Sequence, residues 1–138
     1  MSKQITREQW QRVEEALSGV FGRVDLMVDG RKVTFERRLV AENRLGIMTY
    51  INGELKGCWT NPNEQHDEQR YLRERSCLFY SKKDRNYLKK LGKLTLNRMK
   101  VDADRRYEWY DQIWTRAGAI RRHYEKTFTS IELIEAIG

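Results

Sequence analysis

The chain has 138 residues, 39% hydrophobic and 34% charged, with a formal net charge of +7. That length predicts a single domain able to bury about two thirds of the surface its unfolded chain exposes, and four Trp, seven Tyr and four Phe argue against disorder. The pairs Cys58/Cys77 and His66/His123 lack the spacing of a zinc motif, so no metal, cofactor or structural disulfide is expected; with no apolar run in Met1-Ser2-Lys3-Gln4 and no window nearing about eighteen apolar residues, neither a signal peptide nor a membrane span is expected, and a reducing cytoplasm is the default compartment.

The elements follow in chain order. Thr6 with Gln9 three residues on reads as a capping box, and Trp10, Val13, Leu17 and Val20/Phe21 recur at helical spacing, predicting an amphipathic helix over 7–19. Gly19 and Gly22 are expected to end it in left-handed geometry. The period then changes to two: Val24, Leu26 and Val28, a turn at Asp29-Gly30, Val33, Phe35 and Leu39, a short connection at Ala41-Glu42-Asn43, and a second strand pair, 45–51 and 54–59, around Asn52-Gly53. The economical arrangement is a four-stranded antiparallel meander covered by the first helix. The hairpin's outer strand offers an edge to a second copy, so monomer and homodimer both stay open.

Asn61-Pro62-Asn63 breaks the pattern and divides the single domain, 1–138, into 1–61 and a mainly helical half, 62–138. Residues 64–75 read as a short helix or an ordered loop anchored by Tyr71 and Leu72. Ser81 and Asp84 start a helix over about 82–100, with Gly92 inside it at about 1 kcal/mol relative to alanine and a break possible there. Residues 102–114 read as irregular and aromatic. Thr115 caps a helix to about Lys126 with Ile120 and Tyr124 inward, and 130–134 alternates weakly, as strand or helix. The expected fold class is α+β.

Between Lys82 and Arg106 ten Lys and Arg stand against Asp84, Asp102 and Asp104, a balance equal to that of the whole chain. On a wheel of about 100° per residue, Tyr87, Leu88, Leu91, Leu94 and Met99 share one side of the 82–100 helix, and Lys82, Lys83, Lys89, Lys90, Lys93 and Lys100 the other. No acidic residue lies between Arg85 and Lys100, so the i,i+4 pairs of an ordinary solvated helix are missing. One reading is a lysine-rich solubility face. The other is a partner that supplies the negative charge, with phosphates the commonest source. Lysine, a point charge without a fork, suits backbone contacts over base reading. Arg85, Arg105, Arg106, Arg121 and Arg122 extend the candidate surface. Nearby Tyr107, Trp109, Tyr110 and Trp114 are suited either to stacking on unpaired bases or to filling the core, with core favoured for Trp109 and Trp114.

Chemistry leaves little signal. There is no GxGxxG or Walker loop, and Gly19 and Gly22 lie between a helix and a strand, the wrong order for a phosphate cradle. Cys77 with His123 as base has no supporting spacing. His66 beside Asp67 reads as exposed, and Glu132 and Glu135 flank apolar residues near the C-terminus, a carboxylate pair only where the tertiary fold brings them together. The expectation is a protein that is not an enzyme.

The strings Gly22-Arg23-Val24-Asp25-Leu26, Tyr50-Ile51-Asn52-Gly53 with Lys56-Gly57 and Trp59, and Ser130-Ile131-Glu132-Leu133 resemble a family of small phage and prophage proteins. The resemblance covers most of the chain through mainly structural motifs. It implies a temperate-phage accessory protein in a bacterial host cell, in the order N-terminal helix, meander, lysine-rich helix, C-terminal tail. Small non-enzymatic phage proteins act by binding, and many blunt host defence, anti-CRISPR proteins among them. On that footing the leading expectation is a binding protein that interferes with a host defence ribonucleoprotein. The alternative is direct contact with the backbone of DNA or RNA, and a small enzyme comes third.

Overall fold

The computed structural model describes residues 4–138; the opening Met1-Ser2-Lys3, read above for the lack of an apolar leader, lies outside the described residues. The chain forms two compact units: residues up to Arg73 together with Tyr110–Gly138, and the intervening Glu74–Trp109. The expected division at 61/62 falls inside the first of these.

In the first unit, α1 (Arg7–Ser18) opens on a reciprocal capping box: the Thr6 hydroxyl accepts from the Gln9 amide at 3.2 Å, and the Gln9 side chain accepts from the Thr6 amide at 3.0 Å. Trp10, Val13, Ala16 and Leu17 turn one face inward. The Val20/Phe21 end of the apolar stripe lies past the helix and is exposed. The expected left-handed ending is not used, since Gly19 is extended at φ −77°. Gly22 is fixed by close approach instead, because a Cβ there would stand 1.6 Å from the Ala16 carbonyl oxygen. The open C-terminal carbonyl of Leu17 receives the Arg37 guanidinium at 2.9 Å.

Three strands follow as expected: β1 (Arg23–Val28), β2 (Arg31–Ala41) and β3 (Arg44–Ile51), antiparallel in register Leu26↔Val33 and Phe35↔Thr49. The turns sit at Asp29-Gly30 (φ 45° and 85°) and Asn52-Gly53 (φ 52° and 77°), the positive-φ pairs a two-residue hairpin demands. The fourth strand over 54–59 does not form. Glu54 makes one bridge back to Ile51, and a 3-10 turn over Gly57–Thr60 then carries Trp59 into the core. The vacant edge of β3 is filled by β6 (Ile113–Trp114), from the stretch expected to be irregular. The tail is strand β7 (Ile131–Ile137), paired with β1. The sheet is therefore five-stranded, in the order β6-β3-β2-β1-β7. The outer strand that was to offer an edge to a second copy is not formed.

The helix α4 (Ala117–Thr127) packs beside α1. Arg116, not Thr115, holds the cap position, without a side-chain bond. Ile120 and Tyr124 point inward as expected and are fully buried. Residues 67–71 form a 3-10 turn whose Tyr71 and Leu72 anchor the segment in the core. The Tyr71 hydroxyl donates to the Val28 carbonyl at 3.0 Å, and the Tyr124 hydroxyl to the Tyr71 carbonyl at 2.6 Å. Around them Phe35 and Phe128 close an aromatic cluster, with ring centres 5.5 and 4.9 Å from that of Tyr124.

The chain enters the second unit along β4 (Arg73–Leu78) and leaves it along β5 (Arg106–Asp111); the two form a small sheet of their own. Neither strand was expected, and with β6 and β7 they set 21 strand residues beside 27 α-helical ones in the 62–138 half. Between them stand α2 (Lys82–Lys90) and α3 (Lys93–Met99). Ser81 caps α2 as expected, its hydroxyl accepting from the Asp84 amide at 3.2 Å. The single helix over 82–100 is interrupted at Gly92, whose φ of 88° and ψ of 152° lie in a region essentially restricted to glycine. The fold class, α+β with an N-terminal helix on an antiparallel sheet, stands; the strand count and the helical second half are corrected.

Candidate nucleic-acid interface

Residues 74–109 carry eleven Lys and Arg against five Asp and Glu, leaving +6 of the chain's +7 in this unit. The helix α2 sorts them. Lys82, Lys83, Lys89 and Lys90 lie on an arc of about 120°, and the half-buried Arg85, Leu88 and Leu91 face away from it. Arg85, expected on the basic surface, belongs to the inner side, where its Nε has no hydrogen-bond partner. The break at Gly92 changes the rest of the wheel. Lys93 and Lys100 sit on a separate helix and its cap. Tyr87, Leu94 and Met99, expected on the packed side, are exposed, Leu94 at 79%. The packed side of α3 is marked by Leu96 instead, because a bent rod presents different residues to its support than a straight one.

Internal neutralisation is slight. Among the described residues the carboxylate within ion-pair reach of the α2 lysines is Asp104, 3.2 Å from Lys89, with both side chains more than half exposed. Such a pair contributes about 0.2–1 kcal/mol and is screened by salt. Asp104 also lines an open cleft of about 380 Å³ with Lys89, Lys93, Asn97 and Asp102. Two carboxylates in that cleft repel a phosphate, so the unmatched positive charge lies along the outer row of α2 and not in the cavity.

The expected arginines divide. Arg105 holds its guanidinium 4.6 Å from the centre of the Phe79 ring, and Arg106 donates to the Ser76 hydroxyl at 3.2 Å. Arg121 and Arg122 belong to α4 in the first unit, where Arg121 pairs with Glu125 at 3.0 Å and lies over the Trp10 ring. Taken by itself, the second unit carries its basic surface on the α2 row. Trp114 is core, as favoured. Trp109 is not in that core: it is half-buried on β5, stacked against Tyr107 with ring centres 5.5 Å apart, and the Arg75 guanidinium lies 5.2 Å from its ring. Arg75 and Phe79 were not singled out from the sequence. The available signal was the Tyr107/Trp109 alternation, period two, which places both rings on one face of a strand.

The groups considered for chemistry are otherwise engaged. His123 Nε2 lies 2.7 Å from the Arg70 carbonyl, and its ring packs against Trp114. His66 is half-buried, not exposed, with Nε2 3.7 Å from Glu64. Cys77 is half-buried and free, and its hydrogen bond with the Tyr107 hydroxyl pushes that phenol above its ordinary range. Among the described residues no His/Cys/Asp/Glu cluster is built to hold a metal, and no helix is long and apolar enough to cross a membrane. Comparison with protein-family models, curated proteins and solved structures finds no match.

Proposed function

We propose that this is a non-catalytic binding protein whose basic unit, residues 74–109, engages the phosphate backbone of a nucleic acid. The observation that carries the reading is the row Lys82, Lys83, Lys89, Lys90: four ammonium groups on one side of a helix, met among the described residues by a single exposed carboxylate. Like charges so placed repel, and phosphates relieve that repulsion while releasing their counterions. The test is retention of a labelled duplex or single strand over a salt series. Lys82→Glu, Lys83→Glu and Lys90→Glu together should abolish retention at about 100 mM salt, with the wild-type log–log salt slope of about −0.9 per phosphate contacted. Unchanged binding in the triple variant makes the row a solubility device.

A second reading is favoured by Tyr87, Leu94 and Met99, three exposed apolar side chains in the same unit. They suit a protein surface. Together with the resemblance to phage accessory proteins, they support a target in which nucleic acid is held within a bacterial defence ribonucleoprotein, as an anti-CRISPR protein would require, and a site of action in the host cytoplasm. It predicts nuclease-resistant co-purification with one host complex, lost in Leu94→Asp.

A further inference from the structure

Residues of the second unit that the lysine row does not use form an ordered aromatic ladder. On β5, Tyr107 and Trp109 stand two residues apart with rings inclined 29° and centres 5.5 Å apart. The Arg75 guanidinium supports Trp109 from 5.2 Å. Held against Trp109, Tyr107 keeps 52% of its surface in solvent. On the face of the rings the Arg75 guanidinium supplies positive charge, while Arg106, adjacent to Tyr107 in sequence, points to the other face of the ribbon and donates to Ser76.

We infer that Tyr107 is a stacking platform for an unpaired base, so that the ligand is single-stranded nucleic acid and not duplex. The inference rests on the nucleic-acid reading above and specifies its substrate class. The physical requirement is a ring whose position is fixed before binding, with positive charge within one nucleotide's reach. Stacking on such a ring is tolerant of sequence, because every base has a π-face, and it is closed to duplex, whose bases already stack on each other. The unit's balance of +6 gives the charge complementarity that selects a polyanion over an apolar peptide for this face.

The experiment is fluorescence anisotropy on the full chain with labelled oligo(dT), oligo(U) and a duplex of equal length at about 100 mM salt. The single strands should bind at least about tenfold more tightly than the duplex, and the dT and U arms separate a DNA from an RNA ligand. Tyr107→Leu keeps apolar bulk but removes the ring; it should weaken single-strand binding by about 5- to 100-fold and leave duplex binding unchanged. Tyr107→Phe keeps the ring and should restore single-strand affinity, which a merely structural role for the Cys77 contact would not predict. Single-strand affinity unchanged in Tyr107→Leu, or a preference for duplex, overturns the inference. If duplex binding is lost in the lysine triple variant while Tyr107→Leu is silent, the stacking platform falls and the phosphate reading stands. If the wild type binds none of the three probes, both fall.

Discussion

Gly92→Ala tests the shape of the basic unit directly. At φ 88° and ψ 152° no L side chain is comfortable, and space is not the obstacle, because a Cβ there would meet nothing within 4 Å. The cost is therefore backbone strain, about 1–3 kcal/mol, and alanine adds about 1 kcal/mol in favour of running α2 and α3 into one helix. The bias towards the straight rod is about 2–4 kcal/mol, comparable to what local packing can hold in a unit whose helices bury no residue fully. The expected result is faster amide exchange, or a shift to continuous helical chemical shifts, over 90–95, with protection of α1 and β1–β3 unchanged. Nucleic-acid affinity should fall as Lys93 and Lys100 swing relative to the α2 row. Gly92→Asn should not rescue it, since asparagine tolerates the ordinary left-handed region but not this ψ. Wild-type exchange and shifts at 90–95 in Gly92→Ala would refute the bent geometry and the sorting of lysines derived from it.

Further outcomes follow from the first unit. Tyr124→Phe keeps the ring contacts to Phe35 and Phe128 but deprives the buried Tyr71 carbonyl of its donor; urea denaturation should show a loss of about 1–3 kcal/mol with the m-value unchanged. Gly22→Ala drives a Cβ into the Ala16 carbonyl and should lower the thermal midpoint sharply, whereas Gly118→Ala, with open space inside α4, should leave it equal or higher by an amount worth up to about 1 kcal/mol. The Asp67 carboxyl is held below its ordinary value of 3.8 by its hydrogen bond from Arg70, with Arg31 adding a second. A depressed carboxylate contributes stability that is complete above 3.8 and lost as pH falls through the folded value, so Asp67→Asn should lower stability modestly at neutral pH, the pair being half exposed, and converge with the wild type below about pH 4, flattening the acid limb of the stability–pH curve.

What was legible in the chain is local. Thr6/Gln9, Asp29-Gly30, Asn52-Gly53 and Ile120/Tyr124 each encode their geometry within a few residues, and each forms as read. The misses are non-local or masked. Nothing near Glu54–Trp59 announces that Ile113–Trp114, some sixty residues on, takes the edge of β3. In β4 the inner positions are Arg75 and Cys77, so its alternation carries no apolar signal. At Gly92 a break was open from the sequence, but the direction of the bend was not, because its φ and ψ are not written in its neighbours. On the basic surface the charge excess and the α2 lysines were readable. The inward turn of Arg85 and the exposure of Leu94 depend on the bend and were not.

The distribution of burial bears on how such a surface would work. Ala103 is the one buried residue among the described residues of Glu74–Trp109, and Leu88, Leu91 and Leu96 are half-buried. A segment this short, below the roughly 40 residues at which chains usually need outside support, has little core with which to oppose the mutual repulsion of its lysines. The first unit holds the rest of the hydrophobic core and nearly balanced charge. Stability and charge are thus separated along the chain, and the weakly stabilised part is the one proposed to meet a polyanion. Phosphates that remove the repulsion also favour the ordered unit, by an amount that grows with the logarithm of ligand concentration over Kd. Binding and ordering of 74–109 are then one process: an oligonucleotide should slow proteolysis within 82–100 while cleavage elsewhere is unaffected, and added salt should reverse the protection in step with affinity.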